Sequence, residues 1–227
     1  MSFFLGWGRE ITLGVFLTIV TALMSLSFGI VIGLAVALLK RSTRNWLKVF
    51  GDAYTTVIRG TPELLIILFV YFGSTIAISK LASLWVGKET WITPPVLVSG
   101  VIALSVVFGG YAAESIRGGM LAVPVGQVEA AAAFGLSSFQ SLFYVKIPLI
   151  WRHSLPALGN NWLALIKSTS LISLISMEEL MRKCTLAAND TSHYFRFYLI
   201  AAGLYLSLTG LNVYIIHRLE KKARQCG

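Results

Sequence analysis

Five stretches of this chain are apolar over lengths that suit a bilayer crossing, and no other feature restricts its fold so strongly. They lie near residues 14–39, 62–80, 96–116, 157–177 and 197–217. A helix needs roughly 20 mainly apolar residues to cross the hydrocarbon layer, and inside lipid only helices or closed barrels satisfy their own backbone. The expected fold is therefore all-α: an integral membrane protein whose five transmembrane helices form one domain over residues 1–227. The first two windows extend backward if the helices tilt, because Ile11, Thr12 and residues 54–58 are apolar enough to continue them. Composition agrees, with 56% hydrophobic and 13% charged residues. The formal charge of +9 does not point to nucleic acid, because the basic residues are dispersed between apolar segments rather than gathered on one face.

Those charges report topology instead. The first loop carries Lys40, Arg41, Arg44, Lys48 and Arg59 against Asp52. The third carries Arg117, Lys146 and Arg152, and the tail Arg218, Lys221, Lys222 and Arg224. These segments hold twelve basic residues, and the other side holds six: Arg9, Lys80, Lys88, Arg182, Lys183 and Arg196. The positive-inside rule then puts the N-terminus outside and the C-terminus in the cytoplasm. The start has no positive n-region and no cleavage site, so no removable signal peptide is expected and the first span serves as its own insertion signal. Cys184 and Cys226 fall on opposite sides of the membrane and cannot pair.

The shorter loops are less specific. Residues 81–95 place Trp85 and Trp91 around Gly87 and a double proline, a pattern that suits an interfacial aromatic belt. Residues 177–196 are polar and charge-balanced, with Glu178, Glu179, Arg182, Lys183 and Asp190. They read either as a docking surface for a soluble partner or as an ordinary solvated loop.

The loop over residues 117–155 is longer and carries two short helices in its sequence. The first starts after Pro124, runs through the alanines at 130–133 and stops at Gly135, alanine being the strongest helix former and glycine the residue that best tolerates a left-handed cap. The second opens on Ser137 with Gln140 three residues later, a capping box, and Pro148 is expected to end it. A membrane-surface hairpin would favour Lys and Arg on its polar face, and residues 126–145 contain none.

The pattern Glu129-Ala130-Ala131, then Gly135, then Val145-Lys146-Ile147-Pro148 resembles the EAA loop of the membrane subunits of bacterial ABC importers. Val145 and Ile147 stand where that family usually has Ile and Leu, and both exchanges keep an aliphatic residue. Further segments resemble the subgroup that imports polar amino acids and opines: Arg59-Gly60-Thr61-Pro62, Tyr71-Phe72-Gly73, Ala113-Glu114-Ser115-Ile116-Arg117-Gly118, Leu158-Gly159-Asn160 and Lys167-Ser168-Thr169-Ser170-Leu171. The resemblance covers nearly the whole chain. It implies a type I importer permease in the bacterial inner membrane. It also implies cytoplasmic ABC ATPase subunits, a second permease subunit (the same chain or a paralogue) and an extracytoplasmic solute-binding protein as partners, besides membrane lipid. In such a protein Glu129, Ala130, Ala131, Gly135, Phe139, Ile147 and Pro148 belong to the element that couples to the ATPase.

The chain carries no sign of its own energy source. Its Lys167-Ser168 pair lies in an apolar window and is no phosphate loop. No nucleophile elbow, metal-binding helix or paired aspartates are present, His153, His193 and His217 are scattered, and neither enzyme activity, metal nor cofactor is expected. Charges inside spans face the bundle interior or a wet path, which makes Glu63, Glu114 and Lys167 candidates for a substrate path. Glu63 begins the second span, where a helix dipole favours a carboxylate. Glu114 lies near the inner end of the third and has Arg117 or Arg59 as a possible ion-pair partner. Lys167 is about 18 Å beyond Leu155 at about 1.5 Å per residue, near mid-membrane. A carboxylate and an ammonium along one path suit a zwitterionic amino acid. In span one, Gly29 and Gly33 have the small-xxx-small spacing of close helix packing. Two other classes compete with the importer subunit: an ion-coupled secondary transporter, which predicts inverted repeats and broken helices in matching halves, and a structural membrane anchor.

Overall fold

The computed structural model describes residues 3–86 and 91–225; Gly87, Lys88 and Cys226, used in the readings above, lie outside that range. Every element among the described residues is helical. The long helices α1 (Phe3–Lys40) and α4 (Val96–Leu121) form the central pair. Small residues set how closely they approach: a Cβ on Gly29 would lie 2.6 Å from Phe108 Cδ1, and one on Gly33 would lie 2.7 Å from Ala112 Cβ. The Gly29 and Gly33 spacing thus serves close packing, as its sequence pattern suggests. Around this pair the core gathers Ala37, Ile67, Leu104, Phe108, Ala112, Leu158, Leu165 and Ile172. The most apolar stretch of α4 is 67% buried, whereas that of α9 (Tyr194–Gln225) is 6% buried. Helix α4 is therefore the axis of the bundle, and α9 is left for lipid or another chain to cover.

The second window does not extend backward as one tilted helix. It is broken into α2 (Asn45–Gly60) and α3 (Glu63–Val86). Thr61 is extended, with φ −108° and ψ 149°, because the ring of Pro62 disfavours a helical residue before it. Helix α2 is amphipathic: Gly51, Thr55 and Ile58 are buried while Trp46, Val49, Phe50 and Val57 are exposed. Its C-terminal half reaches the middle of α4, where the Tyr54 hydroxyl donates to the Val106 carbonyl at 2.7 Å. The break between α2 and α3 is therefore level with the middle of α4 rather than its end, and Glu63 is placed much deeper than the inner edge expected from sequence.

Four described helices are long and apolar enough to cross a membrane: α1 over Gly6–Lys40, α3 over Glu63–Trp85, α4, and α9 over Tyr194–Ala223. The remaining window is α7 (Ile147–Ser168) followed by a 3₁₀ turn (Thr169–Ile175), and it is too polar to join them. Some of its polar groups point into the bundle. Asn161 donates to Ser115 Oγ at 2.9 Å, Trp162 Nε1 to Asn212 Oδ1 at 2.8 Å, and Ser154 is buried against Gly119, where no Cβ would fit.

Because α4 continues to Leu121 and α7 starts at Ile147, the long loop spans 122–146 and not 117–155. Within it, α5 (Val125–Ala133) and α6 (Ser138–Ser141) occupy the two expected positions. Pro148, however, does not stop the second. A π-helical turn (Leu142–Lys146) joins α6 to α7, with the Ile147 N–H bonded to the Leu142 carbonyl, and Pro148 sits in the first turn of α7. A proline ring clashes with the carbonyl four residues earlier, here that of Tyr144; the widened turn moves that group aside, so the helix survives.

The polar segment 177–196 is not a solvated loop. It folds into α8 (Leu180–Thr191), whose Leu180, Cys184, Ala187 and Ala188 are buried with Ile11 of α1 and Phe197 and Ala201 of α9. Cys184 is a free, buried thiol, and burial with the neighbouring Glu179 charge pushes it up to about 11. Trp85 and Trp91 are both strongly exposed.

Candidate functional site

The break after α2 and the end of α7 meet in space. Glu63, first residue of α3, accepts a hydrogen bond from Ser168, the last residue of α7, at 2.5 Å. They border a cavity of about 210 Å³ lined also by Val107, Phe108, Tyr111, Asn161, Ala164 and Leu165. Phe108 lies midway along α4, so the cavity is at mid-bundle. Lys167, adjacent to Ser168, is exposed on this chain, and no side-chain hydrogen bond or ion pair engages it among the described residues. Arg59, the residue before the Gly60 end of α2, is likewise exposed. Helix ends suit these charges: a carboxylate starts α3 and an ammonium closes α7, each favoured by its helix dipole. Among the described residues the arrangement offers a carboxylate with only a hydroxyl partner and a cation whose side chain has none, both level with the middle of the bundle.

Glu114 is elsewhere. It binds Lys40 of α1 and receives Arg117 Nη2 at 2.8 Å. Lys40 also reaches Asp52 at 3.0 Å and the Thr55 hydroxyl at 2.7 Å, which ties α1, α2 and α4 together where α1 and α4 end. Of the two partners the sequence offered, Arg117 is the one used and Arg59 is not. Lys40, 74 positions from Glu114, left no local signal of this pairing.

A second charged cluster lies at the opposite end of α1; Glu178, Glu179 and Lys183 belong to the charge-balanced segment 177–196, and Glu10 of α1 joins them although nothing near it in sequence marks the pairing. Glu179 is fully buried; its carboxylate caps α8 by accepting from the Arg182 N–H at 2.9 Å and takes the Tyr205 hydroxyl at 2.7 Å. Burial pushes this carboxyl above the usual 4.5, with the hydrogen bonds pulling the other way. Lys183 binds Glu10 at 2.7 Å and Glu178 at 2.8 Å, and these two carboxylates raise its pKa.

The loop over 122–146 has the local chemistry its residues dictate. Helix α5 closes in a Schellman cap: Gly135 is left-handed at φ +79°, its N–H bonds the Ala132 carbonyl at 2.9 Å, and the Leu136 N–H bonds the Ala131 carbonyl at 3.1 Å. Ser137 and Gln140 form the expected capping box. Ala131 is buried, whereas Glu129, Ala130, Phe134, Phe139, Ile147 and Pro148 are exposed. The Phe139 and Phe143 rings pack at a tilt of 47° with centroids 4.6 Å apart. An outward face of small and aromatic side chains with one carboxylate is suited to a protein groove.

The family described as binding-protein-dependent transport system inner membrane component matches residues 29–224. The chain is 42% identical over 97% of its length to the nopaline transport system permease protein NocQ of Agrobacterium fabrum, covering 93% of that protein. It is 38% identical over 86% of its length to the arginine ABC transporter permease protein ArtQ of Escherichia coli, covering 88% of it. For the histidine/lysine/arginine/ornithine transport system permease protein HisQ of Salmonella typhimurium the identity is 33%, over 96% of this chain and 94% of that one. Among solved structures, an amino acid ABC transporter crystallised with histidines superposes with a TM-score of 0.81 at 30% identity, covering 96% of each chain. The inward-facing MetNI methionine ABC transporter shares the fold, with a TM-score of 0.73 at 18% identity, over 95% of this chain and 96% of that one.

Proposed function

The chain belongs to the family of binding-protein-dependent transport system inner membrane components and is a permease subunit of an amino-acid or opine ABC importer; from this premise we propose how its parts divide the work. The loop over 122–146 is the coupling element, with α5 seated on a cytoplasmic ATPase that supplies the energy. The cavity between α3, α4 and α7 is the substrate path, where Glu63 receives the cationic group and Lys167 the carboxylate of a zwitterionic solute. A solute-binding protein delivers that solute from outside. Helix α7 with its 3₁₀ turn is the fifth crossing, shielded from lipid by its contacts with α4 and α9. This gives an outer N-terminus and a cytoplasmic C-terminus, in line with the basic residues concentrated beside the coupling loop.

A second permease subunit completes the path. An ammonium at mid-bundle is costly against hydrocarbon, and the exposed Lys167 and Arg59 need a second chain or water beside them. The broken helices at Thr61 and Ser168 are also a feature of secondary transporters, but here they accompany a loop that such a transporter does not require.

The observation that carries this reading is the capped, exposed α5 with a left-handed Gly135 at its end. Apart from its chain neighbours, nothing lies within 4 Å of a Cβ built on Gly135, so substitution there acts through backbone conformation alone. Gly135→Val is expected to cost about 1 to 2 kcal/mol locally, insert at normal levels, and lose uptake with weakened retention of the ATPase on purified membranes. Glu129→Lys, which reverses the exposed charge on α5, acts in the same direction. Wild-type uptake and ATPase retention in both variants would remove the loop from the coupling role.

A further inference from the structure

A groove with no assigned role opens between the coupling loop and the ends of the two central helices. Its volume is about 400 Å³, within the roughly 300 to 1,000 Å³ typical of ligand sites. Leu38 and Met120 form one wall, from the last turns of α1 and α4; Val125 and Val128 of α5 form the other. The charged groups among its lining residues are Arg41 and Lys146, both cationic, and no acid lines it. Lys146 is half-buried in the π turn, and its ammonium has no hydrogen bond or ion pair among the described residues. Arg41 spends one donor on the Met120 carbonyl at 3.3 Å, leaving most of its five N–H groups for another acceptor.

Position decides what kind of anion fits. Both α1 and α4 are long and apolar enough to cross a membrane, so their last turns meet the bilayer surface. A site there sees phospholipid headgroups, and basic pockets between membrane helices bind anionic ones. The apolar walls match acyl chain, which a soluble phosphate does not have. By contrast, the larger, wholly apolar groove between Phe28 of α1 and Val98 of α4 contains no charge to select an occupant. We propose that the groove between α5 and the ends of α1 and α4 holds an anionic phospholipid, its phosphate on Lys146 and Arg41, its upper acyl chain along Leu38 and Met120, and its glycerol region against Val125 and Val128. The seated lipid joins α5 to the bundle through both walls, so the charge of the bilayer bears on how firmly the loop is held. This requires only that α1 and α4 cross a membrane. It depends neither on the direction of crossing nor on what is transported, so it stands or falls separately from the coupling role.

The test uses the assembled transporter in nanodiscs of equimolar phosphatidylglycerol and phosphatidylcholine, with retained lipid identified by native mass spectrometry. Wild type is expected to retain phosphatidylglycerol in preference, at roughly fivefold per basic residue. Lys146→Gln with Arg41→Gln should bring the ratio to parity, and Lys146→Arg should keep the preference. Parity in wild type, or an unchanged preference in the double variant, overturns the proposal. Should the double variant fail to assemble, wild type with a photoactivatable acyl-chain phosphatidylglycerol decides: cross-links to peptides containing Val125 or Ile150 support the site. Labelling confined to other helices, as when a partner subunit fills the groove, refutes it.

Discussion

Lys40 and Lys167 are both ammonium groups at the ends of long helices, and their surroundings differ in a way that distinguishes a framework charge from the charge assigned to the proposed path. Lys40 is almost fully enclosed and bonded to Glu114, Asp52 and Thr55. Lys167 is exposed and adjoins Ser168, which lines a mid-bundle cavity and donates to Glu63, a carboxylate with no other hydrogen bond or ion pair among the described residues. A buried charge pair is destabilising to break, because the survivor keeps its desolvation cost. A lone cation at that depth is tolerated only where water, solute or another chain reaches it. The first arrangement fixes α1, α2 and α4 against each other; the second leaves binding capacity unused in the isolated chain.

The largest effect is expected from breaking the enclosed pair. Lys40→Met should lower stability by about 3 kcal/mol, the low end for a buried pair because Arg117 still holds Glu114. Thermal melting of the detergent-solubilised protein and its level in membranes would register it. A wild-type melting temperature would mean that enclosure of this charge is not structural. On the side of the proposed path, Ser168→Ala removes the hydroxyl that donates to Glu63. It should leave melting nearly unchanged and alter the half-saturating solute concentration by about tenfold, as for loss of a hydrogen bond to a charged group worth about 1.5 kcal/mol. A shift in melting without a change in uptake would move Glu63 from the path to the framework.

The smallest effect concerns the cluster around α8. Burial raises the Glu179 carboxyl above its usual 4.5, so the folded state holds this proton more tightly than the unfolded one. Stability from this group is present in full below the unfolded value and is lost as pH rises through the higher folded value. Melting measured at pH 5 and pH 7.5 should show wild type gaining at the lower pH, with Glu179→Gln flattening the difference. An identical pH dependence in the variant would show that Glu179 does not titrate over that range.

How much of this was legible in the sequence follows from the range of each interaction. Lipid imposes a local demand, continuous apolar length, so α1, α3, α4 and α9 show in composition alone. Caps are local too: Ser137 with Gln140, and Gly135 after four alanines, are written within a few residues of where they act. Helix α2 was hidden by its own charges, since Lys48 and Arg59 read as loop while the buried face of Gly51, Thr55 and Ile58 faces α1 and α4. Helix α8 is buried against Ile11, Phe197 and Ala201 and held to α1 by Thr18, which donates to Glu179 161 positions away, and by Glu10, which accepts from Lys183 173 positions away, contacts that a polar local composition does not signal. Pro148 misled because a proline ends an α-helix, and only the π turn before it lets the helix continue.

The proposed solute path rests on the exposed charge of Lys167 at mid-bundle. Its most direct test is Lys167→Met in the assembled transporter, with melting and binding-protein-dependent uptake measured on the same preparation. The account predicts assembly and melting like wild type, with uptake at least about tenfold lower, the loss of one charge-assisted contact to a solute carboxylate. Unaltered uptake kinetics in Lys167→Met, with the complex intact, would contradict it.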